Sequence, residues 1–158
     1  MKKIIGILMI TFLLSGCSLF SKDADAFENY ITKINEWNEE EFKIVENYEI
    51  AAQDDSVTEK EYIDILKKTM EEYKTFVNKI KKEKIENEKL APHHKKYIKA
   101  IESYQKSMDL DLKVYETKDP DLAGEVDKHV EKANNLALEF QKGLVKLGEK
   151  LGIELTWE

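Results

Sequence analysis

Apolar residues recur at three- and four-residue steps through four long stretches, and this spacing predicts four amphipathic helices. The first helix is expected from about Asp25 to Ala52, with Phe27, Tyr30, Ile31, Ile34, Trp37, Ile44, Val45 and Tyr48 on one stripe. Gln53-Asp54-Asp55-Ser56 is a polar turn. Two capping boxes overlap after it, Ser56 with Glu59 and Thr58 with Glu61, and either can start the second helix. That helix carries Tyr62, Leu66, Thr69, Tyr73, Phe76, Val77 and Ile80, and its polar continuation extends as far as Glu88. Ala91-Pro92 restarts the chain, with Pro92 suited to a first helical position. The third stripe is Tyr97, Ile98, Ile101, Tyr104, Met108, Leu112 and Tyr115; Leu110 and Val114 lie off it, one turn apart. Asp119 as N-cap and Pro120 at N1 open the fourth helix. Its stripe is Leu122, Val126, Val130, Ala133, Leu136, Ala137, Phe140, Leu144, Leu147 and Leu151. Ala133, Ala137, Gly143 and Gly148 allow a neighbour to come close. Gly152 suits a helix C-terminus, and residues 153–158 are expected to be a tail. No strand-like alternation competes. Four helices joined by short turns predict an all-α fold, an antiparallel up-down-up-down four-helix bundle over residues 27–152.

The first seventeen residues follow a different pattern. Lys2 and Lys3 precede an apolar run from Ile4 to Leu14, broken by Gly6 and Thr11, and small residues Ser15 and Gly16 lead to Cys17. Basic start, apolar middle and small-residue end are the parts of a secretory signal peptide. The run is shorter than the roughly 20 residues that a membrane-spanning helix needs. Leu14-Ser15-Gly16-Cys17 resembles the lipobox of bacterial lipoproteins. That resemblance, which covers only residues 1–17, implies cleavage before Cys17 and a diacylglyceryl group on its sulfur. It places the mature chain on the extracytoplasmic face of the cell membrane, held by lipid. Two acyl chains anchor stably where one is marginal, because each buried methylene contributes about 0.8 kcal/mol. Residues 1–16 are then signal peptide and residues 17–26 anchor and tether, whose nine residues after Cys17 reach at most ~30 Å. Leu19 and Phe20 either dip into the interface or are plain linker. The rest of the chain looks like the small helical lipoproteins of low-GC Gram-positive bacteria, a likeness of general character that carries no site.

Composition narrows the function classes. Loss of residues 1–16 leaves 142 of 158 residues, enough for one domain with its own core, and takes the net charge from −7 to −9. An acidic chain is a poor nucleic-acid binder. All the basic residues are Lys, so the bidentate guanidinium fork common at phosphate and carboxylate sites is missing. Cys17 is the sole cysteine, which excludes a disulfide framework and a cysteine-based metal site.

In the expected topology the start of the first helix, the turn near Leu90 and the C-terminus share the membrane-proximal end. That turn is rich in lysine: Lys79, Lys81, Lys82, Lys84, Lys89, Lys95, Lys96 and Lys99, against Glu83, Glu86 and Glu88. The distal turns carry Asp54, Asp55, Glu59, Glu116, Asp119 and Asp121. A lysine near an anionic surface contributes about 1 kcal/mol, so this basic patch is expected to face the headgroups; a solvated charged turn is the competing account.

Two polar residues fall on the apolar stripes, Glu41 in the first helix and His129 in the fourth. Their heights match in an antiparallel bundle. With Thr69, and with Gln105 and Ser107 around Met108, they can form a buried polar layer that fixes register or binds a small ligand. No His has Glu three residues before it, so the di-iron pattern is missing. Adjacent His93 and His94 diverge by about 100° on a helix and cannot clamp one ion. There is no phosphate loop, nucleophile elbow or Cys–His dyad. No metal, cofactor or catalytic residue is therefore expected. The leading expectation is a non-catalytic module that binds an envelope component or another protein. Leu110 and Val114 are its first candidates for an exposed apolar patch. A bundle that binds a small molecule or ion, and an exclusion or immunity lipoprotein acting against phage or conjugation, are the alternatives.

Overall fold

The computed structural model describes the backbone of residues 10–13 and 22–157, with side chains over residues 22–155. Four helices account for most of it: α1 (Lys22–Ala51), α2 (Glu59–Lys82), α3 (Ala91–Thr117) and α4 (Asp121–Leu151). They form an all-α four-helix bundle. Ion pairs link each helix to the next. Lys33 meets Glu83 and Glu40 meets Lys79 across α1 and α2; Lys67 meets Glu116 and Lys81 meets Glu102 across α2 and α3. Lys96 meets Glu139 across α3 and α4. Among the described residues no helix is long and apolar enough to cross a membrane.

The helix ends show which local signals win. α1 begins at Lys22, inside the stretch read as tether, and Ala24 is already buried. Asp23 and Asp25 favour the positive helix start. Asn87 and Lys89 also grip Asp23 from the α2–α3 connection. Of the two overlapping capping boxes, Thr58 with Glu61 is the one formed. Ser56 is diverted, bonding the Asp54 carboxylate through its own N–H and hydroxyl. α2 stops at Lys82, short of Glu88, because no apolar residue continues its stripe in register beyond Ile80. Asn87 instead turns the chain, its side-chain oxygen accepting from the N–H groups of Lys89 and Leu90. Pro120 sits at the N-cap of α4, one place before its expected position, while Asp119 still accepts from the N–H of Asp121.

Gly152 ends α4 at φ +72°, where a side chain would be strained. The N–H of Ile153 bonds the carbonyl of Gly148, and that of Gly152 the carbonyl of Glu149, the pattern of a Schellman end. Residues 153–157 are not a free tail. Ile153 and Leu155 are buried on the bundle. Glu154–Trp157 forms a strand, β2, paired antiparallel with β1 (Ile10–Leu13), in register Ile10 to Trp157 and Leu13 to Glu154. This departs locally from the strand-free expectation. Short stretches rich in β-branched and aromatic residues pair readily once one of them is docked.

The core is one cluster contributed by all four helices, with Tyr73, Phe27, Phe76, Ile31, Ile34, Leu66, Met108 and Leu144 wholly enclosed. α3 carries two buried faces. Beside the expected stripe, Ala100, Ser103, Ser107 and Leu110 are buried on a second face. The Ser103 hydroxyl donates to the His129 carbonyl of α4 there. Leu110, expected at an exposed patch, is thus covered, and Val114 is half-buried. The small side chains let α4 lie close against α3, its main neighbour, while it touches α1 only lightly. Consequently only Ala133, Phe140, Leu144 and Gly148 of α4 are fully buried, and Leu122, Val126, Val130, Leu136 and Ala137 remain half-exposed. The close passages need glycine. A Cβ on Gly143 would stand 2.5 Å from the His93 ring, and one on Gly148 would stand 2.8 Å from the Ile153 carbonyl oxygen.

Candidate functional site

The lipobox-like Leu14-Ser15-Gly16-Cys17, including the lipid-attachment candidate Cys17, lies outside the described residues, as do tether residues 18–21. The described chain resumes at Lys22, the start of α1. There Asp23 of α1 accepts from Asn87 at 2.9 Å and from Lys89 at 2.6 Å. The Lys89 ammonium, and then the Asn87 amide, hold the Asp23 carboxyl below its ordinary range. Phe27 packs beside Gly148 at the end of α4. The start of α1, the α2–α3 connection and the end of α4 therefore meet at one end.

The eight lysines of this end are not equivalent. Lys79 pairs with Glu40, Lys81 with Glu102, Lys89 with Asp23 and Lys96 with Glu139. Lys82, Lys84, Lys95 and Lys99 are exposed and make no ion pair among the described residues. Glu83 is engaged by Lys33, which leaves Glu86 and Glu88 as the local counter-charges. The usable positive charge is thus concentrated on the last residue of α2, the connection after it and the first turns of α3.

The expected layer of Glu41, Thr69, Gln105 and His129 is divided between two places. Glu41 accepts a hydrogen bond from the Tyr73 hydroxyl at 2.5 Å. His129 is half-buried, its Nδ1 3.4 Å from the Ser103 hydroxyl. Glu41 and His129 do not bond each other. Thr69 is buried and Gln105 half-buried, and neither joins them. The reason is the light α1–α4 contact: the core-facing carboxyl of α1 meets α2 and α3, and the α4 imidazole meets α3.

Tyrosine–carboxylate pairs stand where that layer was expected. Buried Asp111 accepts from Tyr48 at 3.0 Å and from Tyr62. Glu49 accepts from Tyr104 at 3.3 Å. Together with Glu41–Tyr73, these bonds tie α1 to α2 and α3 at several heights. The rings also pack on one another, Tyr62 with Tyr115 at 5.0 Å and Tyr73 with Tyr104 at 5.4 Å between centroids. Below them Trp37 stacks on Tyr97 at 6.0 Å, and the Tyr30 hydroxyl lies 3.2 Å from His94 Nδ1. Among the described residues the buried His94 Nε2 and Tyr97 hydroxyl have no hydrogen-bond partner. Tyr97 is nevertheless close enough to Glu41 to favour its ionised form slightly.

Burial governs the ionisation of this interior. It pushes Glu41 up to about 7, against the opposing pull of the Tyr73 and Tyr97 hydroxyls. It raises Glu49 as well, opposed by Tyr104. Burial lowers His94, partly offset by the Ile80 carbonyl and by Glu83. The phenols of Tyr30, Tyr48, Tyr62 and Tyr73 are all driven upward by burial, so they remain neutral donors. Among the described residues no group of three or more His, Cys, Asp or Glu side chains is placed to hold a metal ion. The interior network joins α1, α2 and α3, and its burial raises one carboxyl, Glu41, to about 7.

Asp111 and His94 were legible by the rule that singled out Glu41. His94, Tyr97, Ile101, Tyr104, Met108, Asp111 and Tyr115 alternate steps of three and four, so both polar residues sit on the α3 stripe. No family model matches the chain, and neither a curated protein nor a solved structure matches it.

Proposed function

We propose that the chain is a lipid-anchored, extracytoplasmic interaction module. Residues 1–16 are a signal peptide, Cys17 carries a diacylglyceryl group, and a non-catalytic bundle stands on the membrane to bind another envelope component. The bundle is antiparallel, up-down-up-down; the pairs Lys67–Glu116 and Lys81–Glu102, which run in opposite chain directions along α2 and α3, support this order. The observation that carries the reading is the coincidence of the lipobox-like run with the geometry just after it. α1 starts five residues beyond Cys17, at the same end as the four unpaired lysines Lys82, Lys84, Lys95 and Lys99. A domain held that close to anionic headgroups gains from positive charge on its facing end. Cleavage before Cys17 also removes Ile10–Leu13, the partner strand of β2, while Ile153 and Leu155 are buried on the bundle.

Cross-linking the lipidated protein in its own membranes, followed by mass spectrometry of the captured material, tests the module. A single dominant partner is expected; thermal stabilisation by a small molecule with no partner captured would favour a ligand-binding bundle instead. Reversing Lys82, Lys84, Lys95 and Lys99 to Glu is expected to weaken binding of an unlipidated form to anionic vesicles. Unchanged binding would remove the orienting role.

A further inference from the structure

The side of the bundle formed by α1 and α2 carries two open cavities, of about 550 Å³ and about 300 Å³. Both are lined by Lys43, Ile44 and Glu72, so they are parts of one groove. Along α1 the groove runs from Glu36 to Ala51, which at 1.5 Å per residue is about 22 Å, or four helical turns. Its floor is apolar: Phe76 and Ile44 in one half, Ile65, Val57 and Ala51 in the other. Ile50 lies on its edge and is 58% exposed, the most exposed large apolar side chain among the described residues.

The rim decides what the groove can take. Glu36, Glu39, Glu40 and Glu72 line the larger cavity against the single cation Lys43. Glu40 is taken by Lys79, and Glu72 faces Lys68 one turn before it. Glu36 and Glu39 have no ion-pair partner among the described residues, so two free carboxylates border an apolar floor. Such a floor between two helices suits an amphipathic helix laid along it, and the free carboxylates select for positive charge at the membrane-proximal half.

We propose that the α1–α2 groove is a docking site for a basic amphipathic helix of a partner protein, about four turns long. The proposal rests on the interaction-module reading and names the face and the partner chemistry. The partner's apolar stripe covers Ile44, Ile65, Phe76 and Ile50, and its Lys or Arg side chains meet Glu36 and Glu39.

The test uses the mature lipidated chain in phosphatidylcholine nanodiscs and two labelled sixteen-residue peptides. Both peptides carry the same Leu stripe; one has Lys and the other Glu on the polar face. Fluorescence anisotropy is expected to show saturable binding of the Lys peptide, at least about tenfold tighter than that of the Glu peptide. Glu36→Lys with Glu39→Lys is expected to abolish that preference, and Ile50→Ser to weaken binding several-fold. All three positions are on the surface, so the variants keep the fold, as circular dichroism will verify. No saturable binding, or a preference that survives Glu36→Lys with Glu39→Lys, overturns the proposal. A photo-cross-linker placed at Ile50 and, separately, at Lys99 in native membranes separates the two levels of the argument. A partner captured only from Lys99 leaves the module standing and removes the groove; capture from neither position removes both.

Discussion

Glu41→Gln is the substitution whose effect follows most directly from the interior of the bundle. The Glu41 carboxyl is enclosed by Tyr73 and Tyr97, and burial raises it from 4.5 to about 7. Between those values the folded chain binds more protons than the unfolded chain, so stability falls as pH rises through this window and levels off above about 7. A shift of that size corresponds to roughly 3 kcal/mol, at about 1.4 kcal/mol per unit. Glutamine keeps an oxygen to accept from Tyr73 but carries no charge, and its packing effect does not change with pH. The difference between variant and wild type therefore isolates the ionisation of Glu41. The opposite slope contributed by His93 and His94, which burial lowers, is common to both proteins and cancels. Urea unfolding followed by circular dichroism at about pH 5 and about pH 8 is the assay. Relative to wild type, Glu41→Gln is expected to gain about 2 to 3 kcal/mol on going from the lower pH to the higher. A difference that stays constant across this range would refute the burial of that carboxyl.

The other expectations concern packing and the interior acids. Gly148→Ala places a Cβ against the Ile153 carbonyl and the Phe27 ring, and is expected to cost about 1 to 3 kcal/mol in urea unfolding. Gly124→Ala meets nothing within 4 Å and is expected to stabilise by up to about 1 kcal/mol. Tyr62→Phe removes one of the two phenols donating to buried Asp111, with an expected loss of about 1 to 3 kcal/mol. Leu144→Ala empties a fully enclosed site and is expected to cost about 2 to 5 kcal/mol; a smaller loss would show that α4 is packed more loosely than described. Deleting residues 1–16 is expected to leave the far-ultraviolet circular dichroism helical, because all four helices of the bundle lie beyond residue 21.

α2 was the most legible element. Its seven stripe residues, Tyr62 to Ile80, are the seven that are buried, because the helix packs against α1 and α3 with a single face. α3 was read by half. One stripe was clear, but Ala100, Ser103 and Ser107 are small or polar, and a close helix–helix contact made from such residues leaves no apolar signature. The same contact explains why Leu110 failed as an exposed patch, and why His129 met Ser103 in place of Glu41. Glu41 stands on the α1 stripe, and its carboxyl bonds neither His129 nor Thr69. Its partner is Tyr73 of α2, and a tyrosine on an apolar stripe signals a packed ring without showing where its hydroxyl donates. The lysine-rich turn was visible as charge, but which lysines stay free depends on acids such as Glu40, Glu102 and Glu139, set by the helix pairing.

The most direct test of the central proposal is the intact mass of the protein extracted from bacterial membranes, with Cys17→Ser alongside. The wild-type chain is expected to begin at Cys17 and to carry a diacylglyceryl modification. The Cys17→Ser chain is expected to keep residues 1–16, or to be released without lipid. A wild-type chain recovered with Met1 at its start and no lipid would contradict the anchor, and with it the orientation of the bundle on the membrane.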